Sequence, residues 1–200
     1  MKIILVGATG TIGRTLFKNL SQRHDVVPVS HSKSDIKVDI TSLASIEAMY
    51  KTVGPFDALV SVVGSAYFGS FEAMTEEDLY KGIRSKMMGQ INLVMAGKKS
   101  IRDNGSFSLT SGILSEDPIR NGVALTMVNN AVNGFVLGAS VELQRGVRIN
   151  AVSPGLVEDS ASALGAAFPG HIPVPMERVV MGYLKSIEGV ETGKVIRIYG

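Results

Sequence analysis

Ile3-Ile4-Leu5-Val6 is apolar at every position, where a strand with one solvated face would alternate. A continuous run of this length marks a strand buried on both faces, as in a parallel sheet covered by helices. Comparable short runs recur at Val26-Val27-Pro28-Val29, Ala58-Leu59-Val60-Ser61-Val62, Ser106-Phe107-Ser108-Leu109, Val147-Arg148-Ile149-Asn150-Ala151-Val152 and Val195-Ile196-Arg197-Ile198-Tyr199. Segments of helical length separate most of them. Ile12, Leu16, Phe17 and Leu20 supply the apolar stripe of the first helix, and Thr41 or Ser42 can cap the second. Thr75 with Asp78 three residues on makes a capping-box pattern ahead of a long helix. The rhythm predicts one α/β domain over residues 1–200, a Rossmann-type doubly wound parallel sheet with helices on both faces and right-handed crossovers.

Composition narrows the function classes. Hydrophobic residues make up 45% and charged residues 19% of the 200, which is globular rather than disordered. The net charge of +2, from 20 basic and 18 acidic residues, is spread too evenly for a nucleic-acid-tracking stripe. Cysteine is absent, which removes disulfides and thiolate metal sites; His24, His31 and His171 lack metal-ligand spacing, so no metal is expected. The opening apolar run is too short for a signal-peptide core, and no later segment sustains eighteen apolar residues. The expectation is a cytoplasmic protein with neither a nucleic-acid nor a membrane partner.

Directly after the first strand stands Gly7-Ala8-Thr9-Gly10-Thr11-Ile12-Gly13, and directly after it the first helix begins. A glycine-rich turn in that context is a phosphate cradle. Gly7 and Gly10 permit a tight turn and close approach of a pyrophosphate, and Gly13 lets the helix pack near the strand. The helix N-terminus adds free N–H groups and the positive end of its dipole. Sites that prefer NAD carry an acid at the end of the second strand, whereas this chain reads Ser30-His31-Ser32-Lys33 there. With Arg14 just past the glycine turn, the expectation is NADP(H) in preference to NAD(H).

Three further segments complete a resemblance: Asp39-Ile40-Thr41 after a third short strand, Val132-Asn133-Gly134-Phe135 within a helix, and Arg148-Ile149-Asn150-Ala151-Val152-Ser153-Pro154-Gly155-Leu156-Val157. With the glycine turn and a closing Thr192-Gly193-Lys194-Val195, the chain resembles the short-chain dehydrogenase/reductase family over nearly its whole length. The resemblance implies that Asp39 and Ile40 border the adenine, Gly64 sits beside the ribose, and Pro154, Gly155 and Val157 face the nicotinamide carboxamide. Ser61-Val62-Val63-Gly64 stands where the family usually has Asn-Asn-Ala-Gly.

The family's chemistry normally uses Ser, Tyr, Lys four residues after Tyr, and Asn. Ser111 matches the Ser, but counting back from Val132-Asn133-Gly134-Phe135 puts Leu125 and Asn129 at the Tyr and Lys places. Lys86, three residues before Gly89, stands at the Asn place. Hydride transfer needs a proton partner for the developing alkoxide. The candidate catalytic pair is therefore Ser111 and Lys86, with lysine needing burial to lower its ordinary pKa. Tyr67 is a further candidate from the loop after the fourth strand. Tyr50, Tyr80, Tyr183 and Tyr199 are expected to pack with solvated hydroxyls, and Met87, Met88 and Met95 to fill core or helix interfaces.

These readings imply an oxidoreductase acting on a small carbonyl or alcohol, assembled as a homo-oligomer through the apolar helix around Leu125 to Val136. The missing Tyr and Lys keep open a second reading, a cofactor-binding sensor or scaffold without turnover. Residues 161–171 stand where the family's mobile substrate loop would be.

Overall fold

The computed structural model describes all 200 residues. Seven parallel strands form one sheet in the order β3-β2-β1-β4-β5-β6-β7. They are β1 (Lys2–Val6), β2 (Asp25–Ser30), β3 (Ile36–Lys37), β4 (Phe56–Ser61), β5 (Ile101–Thr110), β6 (Arg148–Pro154) and β7 (Val195–Ile198). The intervening helices are α1 (Thr11–Leu20), α2 (Leu43–Val53), α3 (Glu76–Gly82), α4 (Met88–Gly97), α5 (Val123–Ser140), α6 (Glu158–Leu164) and α7 (Met176–Glu188).

The apolar run of β1 divides its side chains between two cores. Ile4 and Val6 join a cluster with Met49, Leu93 and Val132 under α2, α4 and α5. Ile3 and Leu5 join the other, with Leu16, Leu20, Val179 and Tyr183 under α1 and α7. Period-two alternation into two covered faces is why the run has no polar position. Strand order reverses between β1 and β4, where a doubly wound sheet opens a ligand crevice at the carboxyl ends of its strands.

Capping follows the expected chemistry. Ser42 caps α2 by accepting from the Ser45 N–H, and Thr75 with Asp78 forms the complete reciprocal box at α3. Other expectations need correction. Phe17 leaves the stripe of α1 and is exposed, while Leu16 and Leu20 are buried. Met95 is exposed as well. The hydroxyls of Tyr50 and Tyr183 are not solvated: Tyr50 donates to the Leu93 carbonyl at 2.6 Å, and Tyr183 pairs with Thr110 Oγ1 at 2.6 Å. Burial pushes both phenols upward in pKa. Tyr199 pairs with Ser153 Oγ at 3.0 Å.

α5 is long and apolar enough to cross a membrane by length and composition. Here it is a domain helix, burying Ala124, Val128, Asn129, Val132 and Val136. Residues 161–171 are more ordered than a loop, since α6 and a short 3-10 turn (Gly165–Ala167) occupy most of them.

Candidate active site

The glycine turn is built as its spacing requires. Gly7 takes φ +95°, and a side chain there would meet the Val62 carbonyl oxygen and Val63 at 2.7 Å. The Gly7 N–H donates to the Val29 carbonyl at 2.8 Å, tying the turn to β2. A side chain at Gly13 would run into the Gly7 carbonyl oxygen, so α1 starts closer to the strand than any other residue allows. The N–H groups of Thr11, Ile12 and Gly13 lie in the first turn of α1, where a helix has no carbonyl of its own to offer them.

The turn opens onto a cleft of about 560 Å3, in the size range of small-molecule and cofactor sites. Gly7, Thr9, Gly10, Ser30, His31, Asp39, Ile40 and Gly64 line it, which joins eight of the residues singled out in the sequence. Val38, Thr41, Val62, Val63, Ser65 and Ser85 also line it and were not among them. Thr41 donates to Asp39 Oδ1 from its backbone N–H at 2.9 Å and its hydroxyl at 2.7 Å, holding this carboxyl below its usual range. Ser30 Oγ accepts from the N–H groups of Lys33 and Ser34, both at 2.8 Å. Ser30 therefore shapes the loop that leaves His31, Ser32 and Lys33 exposed. Arg14 is exposed at the mouth, its guanidinium 3.5 Å from the Thr9 carbonyl.

Ala8, Pro154, Gly155 and Val157 do not line this cleft. Ala8 is buried against the second core, and Val157 buries its side chain there too. Pro154 ends β6, and Gly155 lines a separate cavity of about 400 Å3 with Ile113, His171 and Tyr199. The Tyr67 ring lies over Gly69, and Tyr67 is not among the residues that line the cleft.

Ser111 and Lys86 do meet. Between α3 and α4 the helix passes through a π segment (Ile83–Met87), a widened turn of the kind often found at functional sites. It carries Lys86 beneath Gly64, whose φ is +105° and whose added Cβ would press on Lys86 Cα and Cβ. The Lys86 ammonium donates to the Ser111 carbonyl at 3.0 Å. Burial lowers its pKa to about 8.

Gln90, one turn further and fully buried, fixes this arrangement. Its Nε2 donates to the Lys86 carbonyl at 3.0 Å and to the Thr110 carbonyl at 2.9 Å, while Oε1 accepts from the Thr110 N–H at 2.8 Å. The sequence reading passed over Gln90; a polar residue that the strand-facing side of an apolar helix buries was the available signal. The reading of this segment as an apolar helix also passed over the polar row that Thr126, Asn129 and Asn133 form along α5 at spacing i, i+3, i+7. Ser111 Oγ, Asn129 Oδ1, Thr126 Oγ1 and Asn133 Oδ1 are buried with no hydrogen-bond partner.

A family model described as enoyl-(acyl carrier protein) reductase matches residues 8–192, nearly the whole of this fold. The chain is a short-chain dehydrogenase/reductase. Within that family it is similar to oxidoreductase UcpA of Salmonella typhimurium, 30% identical over 137 residues, which are 64% of this chain and 51% of that protein. It thus spans about half the length of that curated relative. L-xylulose reductase of Mesocricetus auratus is 23% identical over 207 residues, 94% of this chain and 85% of that protein. Among solved structures, the protein lin1944 from Listeria innocua is 43% identical with a TM-score of 0.98, both chains covered in full. A small-chain dehydrogenase in complex with NADPH is 26% identical with a TM-score of 0.88, covering 100% of this chain and 96% of its own. In this short-chain dehydrogenase/reductase the Lys86 ammonium lies against the Ser111 carbonyl and the Asn129 amide against Gly112.

Proposed function

We propose that the chain is an NADP(H)-dependent oxidoreductase that interconverts a small carbonyl compound and its alcohol. The observation that carries the reading is the meeting of Lys86 with Ser111, at 3.0 Å, with Lys86 packed against Gly64 in the lining of the glycine-turn cleft. The residues present fit a dinucleotide: Gly7 and Gly13 leave space no side chain can fill, and the first turn of α1 offers N–H groups to a pyrophosphate. Asp39 and Ile40 border the adenine end, while Arg14, His31, Ser32 and Lys33 favour a 2′-phosphate. The NADPH complex of the similar small-chain dehydrogenase supports this cofactor choice. When bound, the reduced nicotinamide supplies the hydride.

The chain's own part is to hold the substrate oxygen and manage its proton. Ser111 Oγ is unpaired and can donate to a carbonyl oxygen. Lys86, with two N–H bonds beyond the one given to Ser111, stabilises the developing alkoxide and releases the proton that completes the alcohol. Its pKa of about 8 leaves it mostly protonated at neutral pH, yet far more willing to give up a proton than an exposed lysine. Leu125 has nothing to contribute to this step, so Lys86 takes over the acid-base work of the absent tyrosine.

Assembly follows from the outer face of α4 and α5. A groove of about 380 Å3 between them is lined by Val94, Met95, Phe135 and Leu143, and Leu137 stands exposed beside it. We assign this face to a homo-oligomer contact. The function is tested by a carbonyl screen followed at the cofactor's absorbance: the proposal expects oxidation of NADPH that Ser111→Ala and Lys86→Met each abolish. Tight cofactor binding without turnover across the screen would favour a sensor instead.

A further inference from the structure

β5 is covered on both faces, yet the face it turns to α7 is a buried polar row. Ser106, Ser108 and Thr110 alternate along that face and are at most 8% exposed. Each is matched by a residue of α7. Ser106 Oγ donates to the Ile187 carbonyl at 3.4 Å, Ser108 Oγ pairs with Ser186 Oγ at 2.6 Å, and Thr110 Oγ1 pairs with the Tyr183 hydroxyl at 2.6 Å. A buried polar network whose members are bonded holds its parts in one arrangement.

Thr110 differs from the two serines in reaching a second strand. Its hydroxyl donates to the Ser61 carbonyl at 2.5 Å. A hydroxyl has one hydrogen to give, so the Tyr183 O–H is the donor to Thr110. Burial pushes the Tyr183 phenol upward in pKa, and it keeps that proton. The relay therefore runs one way, from Tyr183 through Thr110 to the Ser61 carbonyl. It spans a break in the sheet. β4 and β5 pair no further than Val60 with Ser108, whereas Ser61 stays with β1 and Thr110 with β6. Just beyond the break, Val62, Val63 and Gly64 line the glycine-turn cleft, and Ser111 follows Thr110. Where backbone pairing has ended, the Thr110 hydroxyl joins these two ends.

We propose that Tyr183 is a positioning residue which, acting through Thr110, fixes the spacing between the cofactor-lining end of β4 and Ser111. Its consequence for hydride transfer rests on the oxidoreductase reading of the cleft.

Tyr183→Phe removes the donor and leaves the ring in place. Misplaced reacting groups are felt in the chemical step, so kcat should fall by about ten- to a hundredfold while NADPH affinity stays within about twofold. Thr110→Val should do the same, and Thr110→Ser, which keeps the hydroxyl, should hold kcat within about threefold of wild type. The double variant Tyr183→Phe/Thr110→Val should be no slower than Thr110→Val alone, since Tyr183 acts through Thr110. Losses that multiply in the double variant mark a tyrosine acting only through its own packing, and they overturn the inference.

Amide hydrogen exchange reads the spacing without turnover. The Val62 N–H bonds the Val6 carbonyl and the Ser111 N–H the Val152 carbonyl, each at 2.9 Å. In the cofactor-free chain, Tyr183→Phe should speed exchange by about tenfold at both amides and leave Ile4, in the middle of β1, unchanged. Equal acceleration at all three marks a general loss of stability and overturns the inference. Unchanged exchange with unchanged kcat also overturns it and leaves the oxidoreductase reading intact. Acceleration confined to Val62 and Ser111, with no turnover by the wild type, keeps the positioning role and overturns the oxidoreductase reading. No acceleration and no turnover overturn both.

Discussion

The Lys86 ammonium donates to the Ser111 carbonyl across 3.0 Å, joining the π segment before α4 to the end of β5. This bond positions the one amine at the site, and burial sets its acidity. If Lys86 is the proton donor, kcat/KM for carbonyl reduction should be level below about pH 8 and fall above it as the amine loses its proton. Alcohol oxidation should show the opposite limb. Lys86→Met should abolish turnover in both directions with cofactor affinity retained.

The same shift predicts a stability signature. The folded-state pKa of Lys86 lies below the value of 10.5 that an unperturbed lysine has, so between about pH 8 and 10.5 the unfolded chain binds more protons. Lys86 therefore disfavours the fold below pH 8, and that penalty disappears as pH rises through the window. The unfolding free energy of the wild type relative to Lys86→Met should climb by on the order of 2 to 3 kcal/mol over this range. Parallel urea titrations at several pH values measure it, and a flat difference would show that Lys86 titrates as an ordinary exposed amine.

Gly64→Ala should damage both halves of the site. The position has φ +105°, and the new methyl group would press on Lys86 Cα and Cβ. Backbone strain of this kind costs on the order of 1 to 3 kcal/mol, and relief by moving Lys86 would break its bond to Ser111. A lower melting temperature with a larger loss of kcat than of cofactor affinity is the expected result.

Gln90→Leu tests the buried clamp. It removes the acceptor for the Thr110 N–H and a donor to two carbonyls, at an expected cost of about 2 to 4 kcal/mol. Thermal unfolding checks the stability loss. Because Gln90 holds the backbone of both Lys86 and Thr110, the variant should also lose most of its turnover at temperatures where it remains folded.

The sheet was legible in the sequence because burial on both faces leaves continuous apolar runs such as Ile3 to Val6, and the glycine-turn cleft because glycine is the only residue that fits at positions 7 and 13. Family spacing singled out Ser111 and Lys86, which the fold brings into contact. What stayed hidden depends on long-range packing. Gln90 gains its role from Thr110, twenty residues away. Asn129 read as the loss of a lysine, and its unpaired oxygen became visible only with Gly112 folded against it. Tyr183 read as a packing residue with a solvated hydroxyl, since nothing local to α7 reveals that β5 supplies Thr110 to that hydroxyl.

The exposed Arg14 and the loop after β2 should set cofactor choice through the 2′-phosphate. Arg14→Ala is expected to weaken NADPH binding by about tenfold, the loss of one charge-assisted contact, and to leave NADH within about twofold. The difference should shrink at high salt, because the guanidinium is solvent-exposed and screened.

The most direct test of the account is a pair of fluorescence titrations of the purified chain with NADPH and NADH under identical salt and pH. The account predicts saturable binding of both, with NADPH at least about tenfold tighter. Tighter binding of NADH would contradict the role given to Arg14 and the His31–Lys33 loop, and binding of neither would contradict the assignment of the glycine-turn cleft as a dinucleotide site.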